Sequence, residues 1–181
     1  MRSLWLILIP LVLVGGCTGR IIKESLGTVT GPKGAEFALR DVSSQSPDVS
    51  LEEYTEFRME PFRDDFGGKV PTRLIERLPA AFARELAERK IRSHEGGKTL
   101  IIRGRIIHFE LATAKTSHLF GPFEEVVARV ELVDGSSGEV LGVANCVGRS
   151  GESVNQGVDK KTQGLASGIA GWIADHYPKK K

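Results

Sequence analysis

The stretch from Glu125 to Val147 constrains the fold most. Val126, Ala128, Val130 and Leu132 alternate with Glu125, Arg129 and Glu131. Successive side chains of a strand point to opposite faces, so this segment reads as a strand with one apolar and one charged face. Asp134-Gly135-Ser136-Ser137-Gly138 supplies a hairpin turn, and Val140 to Val147 returns as the next strand. A hairpin of this kind is wet on one face and needs a cover on the other.

The neighbouring segments supply that cover and further strands. Thr99 to Leu111 is rich in Ile and puts Leu100, Ile102 and Ile106 on one face, with Arg103 and Arg105 placed to meet Glu125 and Glu131 on the other. Tyr54 to Phe62 alternates as well, with Phe57 and Met59 opposite Glu56, Arg58 and Glu60. Pro61 limits the ladder there. Between these two strands, Leu74, Leu78, Phe82 and Leu86 recur every fourth residue and predict a helix over 70–92 with Pro71 at its start. Pro79 removes a hydrogen bond and should kink or split it. Gly148 to Gly164 is polar and reads as a loop. Leu165, Ile169, Trp172 and Ile173 form a last helical stripe that ends near Tyr177. The order β-α-β-β-β-α predicts an α/β (α+β) fold, a mainly antiparallel or mixed sheet of about four strands with two helices packed on it.

The start of the chain is of another kind. Arg2 precedes an apolar run from Leu4 to Val14, and Gly15-Gly16 stands before Cys17. A positive start, a short apolar core and small residues at a cut are the features of an export signal. The run is shorter than the ~20 residues a helix needs to cross a bilayer. Val14-Gly15-Gly16-Cys17 resembles the bacterial lipobox. The resemblance implies diacylglycerol on the Cys17 sulfur, cleavage before that cysteine, and acylation of the new amine with palmitate or a similar chain. Thr18 follows, where an Asp would favour retention in the inner membrane, so the expected location is the outer membrane, facing the periplasm. The expected organisation is a signal peptide over 1–16, a lipidated N-terminus and flexible tether over 17–50, an envelope domain over 51–178, and a basic tail over 179–181. Within the tether, Ala35 to Leu39 has the makings of a short edge strand.

Composition excludes some partners. Cleavage before Cys17 would remove one basic residue, Arg2, and no acidic one, so the formal charge falls from +2 to +1. A nucleic-acid binder usually carries a large basic excess, so none is expected as a partner. With Cys17 acylated, Cys146 is a lone thiol in an apolar run and reads as a small buried residue, with a reactive thiol as the alternative. The four histidines, His94, His108, His118 and His176, are scattered without metal-ligand spacing. No nucleophile elbow or phosphate loop occurs, and Asp64-Asp65 sits beside a glycine pair, which suits a turn better than acid-base chemistry. The chain is therefore read as a non-enzyme with no catalytic residue, metal or cofactor.

Two features suggest binding. His118, Leu119, Phe120 and Phe123 flank Gly121-Pro122 between two strands. Such apolar groups either fold back on the sheet or meet a partner or a membrane. Gly164, Gly168 and Gly171 lie in the last helix, where each glycine costs about 1 kcal/mol relative to alanine. They suggest close approach of another backbone, either the chain's own sheet or a partner helix.

The elements from Tyr54 to Tyr177, including Ile102-Arg103-Gly104-Arg105-Ile106 and the hairpin from Glu131 to Leu141, resemble the N-terminal domain of the translocation protein TolB and lipoprotein activators of penicillin-binding proteins. The resemblance implies protein binding in the cell envelope and transfers no catalytic residue. The leading expectation is a lipid-anchored envelope adaptor that presents a periplasmic protein-binding domain. The alternatives are an accessory lipoprotein of a transport or secretion assembly, with self-association through edge strands or the glycine face, and, least supported, an envelope hydrolase.

Overall fold

The computed structural model describes residues 33–40, 42, 51–91, 96–110, 124–150 and 157–177. Strands β1 (Lys33–Arg40), β2 (Tyr54–Met59) and β3 (Arg63–Asp64) precede helix α1 (Thr72–Glu88). Strands β4 (Lys98–Phe109), β5 (Glu124–Asp134) and β6 (Val140–Ser150) follow, and helix α2 (Val158–Asp175) ends the described part. The sheet is mixed and six-stranded, not about four-stranded as expected. Its order is β1-β6-β5-β4-β2, with β3 also on β4.

The two extra strands have separate causes. Residues 33–40 pair antiparallel with β6, from Lys33 opposite Arg149 to Ala38 opposite Ala144. Val42 is buried as well. The expected tether over 17–50 thus contains a strand of the sheet, and the folded part reaches further toward the N-terminus than Leu51. The other strand comes from Pro61. Both β2 and β3 run parallel to β4 along its one edge, at Lys98–Ile102 and at Arg105–Ile106. The missing N–H at Pro61 breaks what would be a single strand. Phe62 then turns inward and is buried over Gly104, where a Cβ would lie 2.4 Å from its ring.

Helix α1 supplies the crossover that a parallel pair requires. It buries Leu74, Leu78, Ala81, Phe82 and Leu86. Pro79 neither splits nor ends it: the helix runs from Thr72 to Glu88. Pro79 is exposed, so the carbonyl it orphans has access to water and the loss is small. The helix closes in a Schellman turn. Ile91 N–H donates to Leu86 O at 3.0 Å and Lys90 N–H to Ala87 O at 3.0 Å, with Lys90 at φ 62°.

Helix α2 starts at Val158, two turns before the apolar stripe that marks it in the sequence. Those turns bury Lys161 and Thr162, whose polar groups are used. Lys161 Nζ donates to Glu110 O at 2.8 Å and lies 4.2 Å from the Phe109 ring centre; Thr162 Oγ1 donates to Val158 O at 2.7 Å. Trp172, Leu165, Ile169 and Ile173 join the α1 stripe over Leu100, Ile102, Ile106, Val130, Leu132 and Ala144 to form the core. Arg89 fastens the two helices. It pairs with the buried Glu85 at 2.6 Å and donates to Ser167 Oγ at 2.9 Å.

Candidate interaction surfaces

Both helices lie on one face of the sheet, and strand alternation sorts the side chains between that face and the open one. A Cβ on Gly34 would lie 2.1 Å from the Gly168 nitrogen, so Gly34 faces α2. Glu36 and Ala38 share its side, and Ala35 and Phe37 point to the open face; the strand bulges between Ala38 and Arg40, at Leu39. Burial and the charge of Asp175 raise the Glu36 carboxyl above its ordinary value.

Across the open face run ion pairs. Arg103 stands opposite Glu131 in register but pairs with Glu60 at 3.0 Å. Arg105 stands opposite Arg129 and pairs with Asp65 at 3.2 Å, while Glu125 takes Arg149 at 2.7 Å. The expected contacts of both arginines with Glu125 and Glu131 thus give way to contacts with the β2–β3 segment, which brings carboxylates closer. The neighbouring Asp64 caps its turn, accepting from Phe66 N–H at 2.7 Å and Val70 N–H at 3.1 Å.

The two ends of the sheet differ. At the β1 end, Phe37 is 59% and Leu39 55% exposed, the two large apolar side chains exposed among the described residues. At the β2 end, a groove of about 450 Å³ opens between β2 and α1. Phe57 and Met59 line it from the strand, and Phe82, Leu86 and Ile91 from the helix side. Pro79, Ala83 and Ala87 complete it, all three exposed. Their small size keeps the groove open. Burying one Phe or Leu side chain contributes about 1.5–3 kcal/mol, so each end carries an unused driving force.

The β5–β6 turn is built on Asp134. Its carboxylate accepts from the Ser136 and Ser137 N–H groups at 2.8 and 2.7 Å, from Ser136 Oγ at 2.5 Å and from Tyr54 Oη at 2.6 Å. These donors hold its pKa well below the usual carboxylate range, while burial, and then the bond to Asp134, push the Tyr54 phenol up. Tyr177 Oη donates to the Tyr54 carbonyl, and burial pushes the Tyr177 phenol up to about 12. The cluster fixes the start of β2 to β5 and to the end of α2. It is saturated by its own partners.

Among the residues singled out in the sequence, Cys17, His118, Leu119, Phe120 and Phe123 lie outside the described residues. Gly168 is corrected as a partner-facing residue: it is buried under β1, where a Cβ would lie 2.9 Å from the Ala35 oxygen. The close approach that the glycines predict is made to the chain's own sheet. Gly171 is half-buried, with Arg89 Nη2 the nearest atom to a Cβ placed there. Cys146 is buried, and desolvation raises its thiol far above the ordinary value, which leaves it without thiolate character. His108 packs against the edge of Phe66, and His176 Nδ1 lies 2.8 Å from Trp172 O. No group of three His, Cys, Asp or Glu side chains among the described residues could hold a metal ion.

The fold therefore defines a class: a mixed sheet covered by two helices on one face, with a crossover helix and a C-terminal helix docked on a glycine seam. No family model and no curated protein matches the sequence. Among solved structures it is similar to a single-residue variant of the PelC dodecamer from Paraburkholderia phytofirmans, at 15% identity and a TM-score of 0.50, over 77% of this chain and 96% of that one. The PelC dodecamer in a second crystal form aligns at 14% identity and a TM-score of 0.49 over the same shares. The likeness establishes a shared fold.

Proposed function

We propose that this protein is a lipid-anchored, non-enzymatic component of the cell envelope that works as an assembly of its own copies. The observation that carries the reading is the pairing of two unsatisfied apolar surfaces, at β1 and at the β2–α1 groove, in a fold shared with a protein that crystallised as a dodecamer. An accessory role in a transport or secretion assembly fits such an oligomer. The resemblance of Val14-Gly15-Gly16-Cys17 to a lipobox supports the anchor. A second reading, a monomeric adaptor for a periplasmic protein, draws on the resemblance to the TolB N-terminal domain and the penicillin-binding-protein activators.

Two measurements test the proposal. Native mass spectrometry of the detergent-extracted chain should show a defined homo-oligomer; a monomer at micromolar concentration would favour the adaptor. Cys17→Ala should release the protein from the membrane fraction. Persistence of the variant on membranes in high salt would remove the anchor from the reading.

A further inference from the structure

The two ends of the sheet are complementary in chemistry and separated in space. Phe37 and Leu39 protrude from β1. The groove that would take apolar side chains lies beside β2, at the other end of the order β1-β6-β5-β4-β2. At about 4.8 Å between neighbouring strands, the four intervals place the two ends roughly 19 Å apart, so one molecule cannot use its own groove for its own strand. A second copy can.

Size fits as well. An apolar cavity of about 150 Å³ accepts a benzene ring. A groove of about 450 Å³ has room for a phenyl ring and a leucyl side chain together. Access is given by the exposed Ala83 and Ala87, whose methyl groups present no obstacle. A surface that donates at one end and accepts at the other makes a head-to-tail contact. Such contacts close into a ring or run on as a filament, whereas a self-complementary patch stops at a dimer.

We infer that the Phe37–Leu39 segment of one copy seats in the Phe57–Phe82–Ile91 groove of the next, as the repeating contact of a head-to-tail assembly. This rests on the self-assembly reading above and names its interface.

The test uses two variants of the full-length chain in mild detergent. Phe37→Asp with Leu39→Asp removes the donor end; Ala83→Glu with Ala87→Glu blocks the acceptor end. All four positions are exposed, so both variants should keep the wild-type circular dichroism. Light scattering should show wild type as an oligomer and each variant alone as a monomer. Mixed, they should form a one-to-one dimer that grows no further, because only one intact donor meets one intact acceptor. If wild type assembles and either folded variant assembles equally well, the interface is elsewhere while self-assembly stands. Two monomeric variants that fail to pair would overturn the donor-acceptor match. A monomeric wild type would overturn the self-assembly reading itself. Should either variant misfold, Phe37→Cys with Ala83→Cys in one chain decides the matter: oxidation should give a ladder of disulfide-linked copies, and its absence would refute the contact.

Discussion

Gly34→Ala probes the seam on which β1 rests. A methyl group there would stand 2.1 Å from the Gly168 nitrogen, 2.4 Å from the Gly164 oxygen and 2.7 Å from the Gly168 Cα. All three atoms are backbone, so no side chain can swing aside. Overpacking of this kind costs about 1–3 kcal/mol. The unfolded chain loses freedom in the same substitution, which offsets about 0.4–1 kcal/mol. The expected net loss is about 1–2 kcal/mol in a urea melt. Because β1 pairs only with β6 among the described strands, strain is relieved most cheaply by lifting β1 off α2. Amide exchange should therefore quicken at 35–39 while β4 and β5 keep their protection. Gly168→Ala meets the same seam from the helix side, with its Cβ 2.9 Å from the Ala35 oxygen, but it gains up to about 1 kcal/mol of helix propensity. Once β1 has lifted, that gain is no longer opposed. The double variant should thus be less destabilised than the sum of the singles by roughly 1 kcal/mol. A Gly34→Ala protein within about 0.5 kcal/mol of wild type, with unchanged exchange, would refute the tight seam.

Asp134→Asn should lower stability at pH 7 by about 1–3 kcal/mol through loss of charge-assisted hydrogen bonds. The folded carboxyl is depressed below its unfolded value of about 3.9, so its contribution is complete above about pH 5 and fades as pH falls toward the folded pKa. Urea melts from pH 7 to 2 should show wild type losing this increment below about pH 4 and the Asn variant not. Lys90→Gly should raise stability by about 0.5–1 kcal/mol, since a left-handed φ strains a side-chain-bearing residue; an unchanged or lower melting temperature would contradict that.

What the sequence makes legible follows from how strongly each segment alternates. Strands β4 and β5 and helix α1 bury large apolar side chains at fixed periods; the strands and the start of the helix emerge within about two residues, while the helix ends at Glu88, four residues before the expected Arg92. Strand β1 shows in the sequence only as a short edge strand over 35–39 inside a tether, because its inward side is Gly34, Glu36 and Ala38, a glycine-fitted surface with no apolar rhythm. The first two turns of α2 escape because they bury Lys161 and Thr162. The candidate surfaces were half legible. Phe57 and Met59 stand on one face in the sequence, but the groove above them is made by what α1 lacks there, at Ala83 and Ala87. No pattern of large residues announces an absence. The exposure of Phe37 and Leu39 depended on knowing that β1 sits at the end of the sheet, with no described element over its open face.

The pairing of β1 with β6 joins the first and the last described strand, Ala38 with Ala144. A chain that emerges N-terminus first must hold residues 33–40 unpaired until β6 and the seam of α2 exist. Closing a loop of that length carries an entropic penalty that only the completed sheet repays. The meander β4-β5-β6 and helix α1 can form before it from nearer contacts. Until then Phe37 and Leu39 travel on a loose arm, and the self-association proposed above would wait until that arm has docked.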